Sequence, residues 1–492
     1  MSGPDRRIEV SSGRSSRASD KGPNGVRKDI TERSRTRAMS DGMASDPQHL
    51  KLPPALDNPP DGGQGDEVVS HSIGSTDSVT VKMMERVVER DNLFRALKQV
   101  RRNKGGPGID GLKVERLPDY LKRNWLAIRT QLLNGTYRPA PVKRVLIPKP
   151  DGGVRSLGVP TVVDRFIQQA LLQVLQPEWD QSFSHSSFGF RPKRSAHQAV
   201  AQAQAYVREG YRFVVDMDLE KFFDNVNHDV LMHKVTQRVQ DDRVIRFIRR
   251  CLKSGVMNAG TYEATATGTP QGGPLSPLLA NLLLDELDQE LERRQHRFVR
   301  YADDCNLYVR SRRAGERVLA SLKHFLEKRL KLKVNEQKSA VDRPWNRRIL
   351  GFTLSRGRHQ YRRAISEKAL NALKDTVRRL TQRTRGYSIN QIIAELRPIL
   401  LGWKAYFGFA EILSPLAELD KWLRRKLRCY QWKQWGRAGY RRLRALGIDS
   451  RLAWNTAKSA HGPWRLSKSP ALHCAMDAQY FTTLGLPTLA RS

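Results

Sequence analysis

Three aspartates set into apolar, β-rich stretches constrain this chain more than any other feature: Asp218 in VVDMDLEKFFDNV, and Asp303 and Asp304 in RYADDCNLYV. Asp216 and Asp218 alternate, so a strand running through them carries both on one face. That strand leaves an apolar run, where a buried carboxylate without a partner is expensive, so a cationic partner is expected. In the second stretch, the apolar runs flanking Ala302 and Asp303 predict a tight hairpin with the acidic pair at its tip, facing the first strand. Carboxylates gathered in this way are hard oxygen ligands suited to Mg²⁺. Two such ions about 4 Å apart can stabilise both the attacking and the leaving oxygens of a phosphoryl transfer. An Asp-Asp turn by itself is an ordinary solvated hairpin, and only the company of the second motif gives it chemistry.

A chain of 492 residues exceeds what one core usually organises, so two or three packed domains and a deep cleft are expected. Lys and Arg number 87 against 50 Asp and Glu, a formal charge of +37 that repels itself unless a polyanion neutralises it. Nucleic acid is therefore the expected partner, bound with an affinity that falls steeply with salt. Cys251, Cys305, Cys429 and Cys474 never approach a C-x-x-C spacing, which argues against a disulfide framework or a zinc ribbon. The N-terminus lacks the apolar core of a secretory signal and no apolar run is long enough to span a bilayer. A soluble protein of the reducing cytoplasm, with no membrane partner, is the expectation.

Residues 1–80, rich in Ser, Gly, Arg, Asp and Pro and poor in aromatics, are expected to be disordered. Order is predicted to begin with a helix at Val81, in VKMMERVVERDNLFRALKQVRR, followed by the breaker run GGPGIDG. From Val142 short β-rich runs alternate with amphipathic helices such as FIQQALLQVLQPEW, an α+β layout. After about Leu354 strand signals fade, and helices dense in Arg, Lys, Trp and Tyr follow.

Set in order, IPKPDGGVRSLGVPTVVDR, SSFGFRPKRSAHQAV, VVDMDLEKFFDNVNHD, GTPQGGPLSPLLANLLLDELD, RYADDCNLYV, LKVNEQKS and ILGFTL resemble the successive blocks of group II intron reverse transcriptases. GGPGIDG resembles the N-terminal extension of that family, and LRPILLGWKAYFGFAEILSPLAELDKWLRRKLRCYQWKQW its thumb and maturase region. The resemblance implies a right-hand polymerase, α+β in its fingers and palm, with an antiparallel palm sheet, an all-α thumb and maturase region and a small basic C-terminal region. The implied boundaries are 81–210 for the extension and fingers, 211–358 for the palm, 359–435 for the thumb and maturase region, and 436–492 for a DNA-binding segment. It implies RNA-templated DNA synthesis from dNTPs with two Mg²⁺ ions, on a DNA primer 3′-end at a DNA target, and binding of group II intron RNA to promote its splicing.

By the same resemblance, Asp218, Asp303 and Asp304 hold the metal ions, and Phe223 underlies the incoming sugar, where a 2′-hydroxyl would clash. Lys149 and Arg155 cradle the triphosphate, Gln271 lies near nucleotide and template, and Arg191 and Lys338 contact template or triphosphate. In the maturase block a cationic face around Arg424, Arg425, Lys426 and Arg428, interleaved with aromatics, suits RNA phosphates. Trp403 and Tyr406 read as core there. No paired Cys and His of an HNH endonuclease follow, so cleavage of the second DNA strand is not expected of this chain, and an intron it mobilises would need a primer from elsewhere, such as a nascent strand at a replication fork. A splicing factor without polymerase activity and a reverse transcriptase recruited to repair or defence remain alternative readings. The intact aspartates weigh against the first, and the maturase-like block favours an intron over the second.

Overall fold

The computed structural model describes residues 83–490 except 149–152, 259–260, 266, 270–271 and 358–359. Lys149, Gln271 and the segment 1–80 lie outside the described residues, as does the side chain of Arg155. Two helices, α1 (Met83–Val87) and α2 (Arg90–Asn103), stand where one was expected. Asn92 marks the break: its amide donates to the carbonyls of Val87 and Ala170, both at 2.9 Å, using an acceptor that a continuing helix would need.

Helix α3 (Leu117–Leu133) leads into strands β1 (Val142–Pro148) and β2 (Val154–Val159), then α4 (Val162–Asp180), whose N-cap Thr161 accepts from the Asp164 amide. A capping box of Ser195 with Gln198 opens α5 (Ala196–Arg208). There follow β3 (Phe213–Met217), α6 (Phe222–Asn225), α7 (His228–Thr236), α8 (Asp242–Leu252), β4 (Val256–Asn258), β5 (Thr261–Glu263) and α9 (Ser276–Arg293). The hairpin β6 (Arg297–Tyr301) and β7 (Asp304–Val309) precedes α10 (Arg312–Phe325), β8 (Ala340–Asp342), β9 (Phe352–Arg356) and β10 (Tyr361–Ile365). Beyond these the described chain is helical: α11 (Glu367–Leu380), α12 (Ile389–Phe407), α13 (Ser414–Trp435) and a series of short helices ending at Thr483. The change to helix comes at Glu367 rather than near Leu354, because β9 and β10 form a hairpin that buries Phe352, Leu354 and Ile365. Among the described residues no helix is long and apolar enough to cross a membrane.

The central sheet runs β6-β7-β3-β8, with every neighbouring pair antiparallel. A second four-stranded sheet, β2-β1-β4-β5, lies in the earlier part of the chain. Strand alternation divides the central sheet between two cores. Val215, Met217, Leu307 and Val341 point into a core shared with α1 to α4 and α7 to α10. Val214, Val299 and Tyr308 point into another, shared with α5, β9, β10 and α11 to α13. The sheet is thus packed on both faces.

Helix α10 lies against the first face through Gly315, where a Cβ would come within 2.5 Å of Val341 Cγ1, 3.2 Å of Val309 Cγ2 and 3.3 Å of Val215 Cγ2. Alanine gains about 1 kcal/mol over glycine in a helix. Overpacking against three χ1-stiff valines costs about 1–3 kcal/mol. Gly315→Ala is therefore expected to cost about 1 kcal/mol net and so to lower the thermal midpoint; a higher midpoint would show that this contact is looser than the geometry requires.

Candidate active site

Strands β6 and β7 are joined by a two-residue turn, Ala302 and Asp303, with Tyr301 opposite Asp304. Ala302 takes φ 58°, the left-handed conformation that such turns need and that a residue with a Cβ adopts at some cost. On the other side of β7, Met217 faces Cys305 and Asp216 faces Asn306 in an antiparallel register. One residue further along, Asp218 comes level with Asp304. Period-two alternation then puts Asp216, Asp218, Asp304 and Asn306 on one face, and all four line a cavity of about 550 Å³. Lys338, Arg347, Arg348 and Lys368 line the same cavity, so carboxylates and cations share its lining.

Beneath the turn lies a fully buried guanidinium. Arg300 donates from Nε and Nη2 to Asp288 Oδ1 and Oδ2, at 2.7 and 2.5 Å, and from Nη1 to Asn281 Oδ1 at 3.0 Å and the Ala302 carbonyl at 2.9 Å. Both side chains of the ion pair are inaccessible to solvent. Asn281 in turn donates to the Gly189 carbonyl at 2.8 Å, and a Cβ at Gly189 would stand 2.2 Å from the Ala302 nitrogen. The segment 186–188 runs beside β6, with Arg300 N donating to Ser186 O and Phe188 N to Arg300 O. The turn is therefore gripped from below by a charge network and from the side by a backbone that only glycine lets approach.

Arg191, expected on template or triphosphate, is corrected by this arrangement. It is buried and braces the same segment: Nε donates to Asp180 Oδ1 at 2.7 Å, Nη1 to the carbonyls of Ser184 and Ser187, and Nη2 to the carbonyl of Asp180. All three guanidinium nitrogens are committed inward.

The expected cationic partners of the strand carboxylates are present. Lys338 Nζ lies 3.5 Å from Asp218 Oδ2, and Arg347 Nη1 lies 3.7 Å from Asp216 Oδ2, whose other oxygen accepts from Asn306 at 3.3 Å. Their compensation is partial. Asp304 opens onto the cavity, yet the crowding of protein around it, followed by the charges of Asp303, Asp218 and Asp216, pushes its carboxyl up to about 6. Burial likewise raises Asp216 to about 6, against the pull of Arg347 and with a push from Asp218.

Among the described residues no three His, Cys, Asp or Glu side chains converge into a ready-made metal site. The donors at hand are carboxylate oxygens, hard ligands of the type Mg²⁺ takes, and the repulsion among aspartates that adds to the effect of burial on Asp304 is what a divalent cation there would relieve. The residues present thus fit such an ion.

Phe223 is half-buried, its ring 5.1 Å from that of Phe222 and edge-on to it, and it lines a second cavity of about 370 Å³ with Arg144, Gly158, Gly268 and Thr269. Gly272 borders the same region: a Cβ there would meet the Gly158 carbonyl at 2.7 Å, at φ 144°. In α13 the expected cationic face is split. Arg428 is buried, donating to the carbonyls of Ser467 and Met476, which corrects its assignment to nucleic acid. Arg425 stacks 3.8 Å above the Trp464 ring and donates to Ser467 Oγ, Arg424 is half-buried, and Lys426 faces a cavity. Trp403 and Tyr406 pack against the second core, the Tyr406 hydroxyl donating to Leu350 O at 2.8 Å.

Sequence reasoning passed over Asp216 as a site residue, although its spacing from Asp218 was the signal. It also passed over Arg300 and Asp288, charges inside the apolar runs FVRYA and LLLDELDQEL that demand partners.

Residues 147–354 match the family model described as reverse transcriptase (RNA-dependent DNA polymerase), and residues 370–446 match that of the group II intron maturase-specific domain. Protein YkfC of Escherichia coli (strain K12) is 32% identical over 321 residues, which are 57% of this chain and 84% of YkfC. Group II intron-encoded protein LtrA of Lactococcus lactis subsp. cremoris is 33% identical over 227 residues, 46% of this chain but 37% of LtrA. Among solved structures, a chain of a partial Cas6-RT-Cas1–Cas2 complex matches 50% of this chain at 26% identity, covering 42% of its own length with a TM-score of 0.33.

Breaking the buried pair from one side leaves an uncompensated charge in the interior, which costs about 3–5 kcal/mol. Asp288→Ala is expected to lose stability on that scale in urea unfolding, and Asp288→Ala combined with Arg300→Met less than Asp288→Ala alone. A single variant within about 1 kcal/mol of the parent would show that water reaches Arg300.

Proposed function

The chain belongs to the family of group II intron reverse transcriptases and maturases, and we propose that it copies an RNA template into DNA and binds the RNA of its own intron to promote splicing. The observation that carries the polymerase reading is the register that brings Asp218 level with Asp304 at a cavity that Asp216 and several cations also line. The chain covers 37% of LtrA, so the partners proposed here rest on its own residues.

In this reading 81–210 supplies the N-terminal extension and fingers, 211–358 the palm, 359–435 the thumb and maturase region, and 436–492 a segment for target DNA. Two Mg²⁺ ions held by Asp218, Asp303 and Asp304 would supply Lewis-acid activation of the primer 3′-hydroxyl and neutralise charge on the departing pyrophosphate. The remaining work is done by the chain itself. Phe223, packed on Phe222 at the edge of its cavity, presents a flat apolar wall to the sugar of a dNTP and crowds a 2′-hydroxyl. Lys149 and Arg155 hold the triphosphate oxygens, and Gln271 with Gly272 lets nucleotide and template approach the backbone closely. Lys338 holds Asp218 against its repulsion from Asp304 until nucleic acid enters. Arg347, Arg348 and Lys368, in the lining of the same cavity, receive backbone phosphates of the primer end.

Arg424, Arg425 and Lys426 serve the intron RNA. The reaction partners are then a DNA target with its primer 3′-end and the intron RNA, all met in the cytoplasm, and the net charge of +37 supports both nucleic-acid roles.

Primer extension on an RNA template with dNTPs and Mg²⁺ tests the reading. The parent is expected to extend, and Asp303→Asn with Asp304→Asn to lose roughly 10³-fold or more, the scale on which removing a catalytic group acts. The folded variant extending at the parental rate would contradict the assignment.

A further inference from the structure

Between the last turn of α11, the segment 381–384 that follows it, and the middle of α13 lies a cavity of about 300 Å³. Arg378, Gln382, Arg383, Thr384, Lys426 and Tyr430 contribute to its wall, which holds three cations and no carboxylate. Asp375 pairs with Arg378 from outside the wall. Arg383 and Lys426 have no ion-pair partner among the described residues; Lys426 lies 5.9 Å from the Trp422 ring centroid and 5.1 Å from that of Trp464. Burial holds the Lys426 ammonium below its ordinary pKa, and repulsion from Arg378 and Arg383 adds to that effect. The floor is rigid: Tyr430 is buried and its hydroxyl donates to the Tyr387 carbonyl at 2.6 Å, while the Thr381 hydroxyl is turned to Val377 O at 2.7 Å. Like charges held together on a fixed floor are stabilised by a bound anion, and the exposed Gln382 and Thr384 at the rim add hydrogen-bond donors beside it.

We propose that this pocket receives a backbone phosphate with its ribose from an unpaired segment of the intron RNA, and is an anchor point of the maturase region. The inference rests on the RNA-binding reading above and gives it a location. It lies beside the stripe 424–426 and shares Lys426 with it, Arg428 being withdrawn into the interior. RNA is favoured because the pocket lies within the stretch 370–446 that matches the group II intron maturase-specific domain. An unpaired segment is favoured because the site is concave. A duplex offers its phosphates along a convex ridge, whereas a strand that has left the helix can turn one phosphate inward. The cavity is also larger than a phosphate alone requires, leaving room for the attached sugar.

The test is equilibrium binding of the full chain to a labelled RNA hairpin with a single-stranded loop, and to a blunt RNA duplex of equal charge, across a salt series. Arg383→Ala is expected to weaken hairpin binding roughly tenfold, the loss of one charge-assisted contact, and to reduce the slope of log affinity against log salt by about 0.7. Arg383→Lys should restore most of the slope. Thr384→Glu, at an exposed position, should weaken the hairpin comparably without moving the thermal midpoint. Duplex binding should change little. A parent that binds the hairpin, with Arg383→Ala and Thr384→Glu matching it in affinity and slope, would overturn the pocket assignment and leave the RNA-binding reading intact. A parent that binds neither RNA would overturn the RNA-binding reading itself. Equal losses on hairpin and duplex would overturn the unpaired strand.

Discussion

The ion pair between Arg300 and Asp288 is the contact on which the geometry of the site depends. Removing both charges from water is costly, and their attraction offsets that cost only when the remaining donors are also satisfied. Here they are: the guanidinium spends its other hydrogen bonds on Asn281 and on the carbonyl of Ala302, the first residue of the acidic turn. The same arginine is in β6, and its backbone is bonded to the segment 186–188. One buried side chain thus ties helix α9, the turn and the flanking segment into a single unit, and the antiparallel register of β7 with β3 carries that order across to Asp218.

What the scaffold holds in place is an unfavourable arrangement. Asp216, Asp218 and Asp304 share one face, and burial, followed by the charges of neighbouring aspartates, raises Asp216 and Asp304 to about 6 despite the cations beside them. A fold that keeps like charges together gives up stability that a neutral surface would retain, which is the usual signature of a functional site. The two cores on either face of the central sheet supply the rigidity that this requires, since neither face of the sheet can yield to let the carboxylates separate.

The aspartates were legible because charge inside an apolar strand is a local anomaly that needs only a neighbouring pair of residues to detect. The α+β layout, with helices replacing strands towards the C-terminal end, was legible from changing periodicity, although the β9–β10 hairpin extended past the expected boundary because its pairing partner lies beyond it in sequence. Arg191 and Arg428 were misread for one reason. An arginine in a polar-looking motif gives no local sign of whether its guanidinium meets solvent or the carbonyls of a distant segment, such as Ser467 and Met476 for Arg428. The same non-locality hid Arg383, which becomes part of a pocket only when α11 and α13 are brought together. The interruption after Val87 depended on an amide from Asn92 reaching back to a backbone carbonyl, which no hydrophobic pattern encodes.

The central claim is that the paired strand ends form a divalent-cation site, and the most direct measurement is titration of the chain with Mn²⁺, following the free ion by electron paramagnetic resonance. At pH 7.5 the carboxyls near 6 are ionised, so the parent is expected to bind Mn²⁺; as pH falls through about 6 they take up protons and affinity should decline. Asp218→Asn with Asp304→Asn should bind at least about tenfold more weakly at pH 7.5, consistent with the loss of two charged oxygen ligands. Equal Mn²⁺ affinity in the parent and the folded double variant, with no decline towards pH 5.5, would contradict the account.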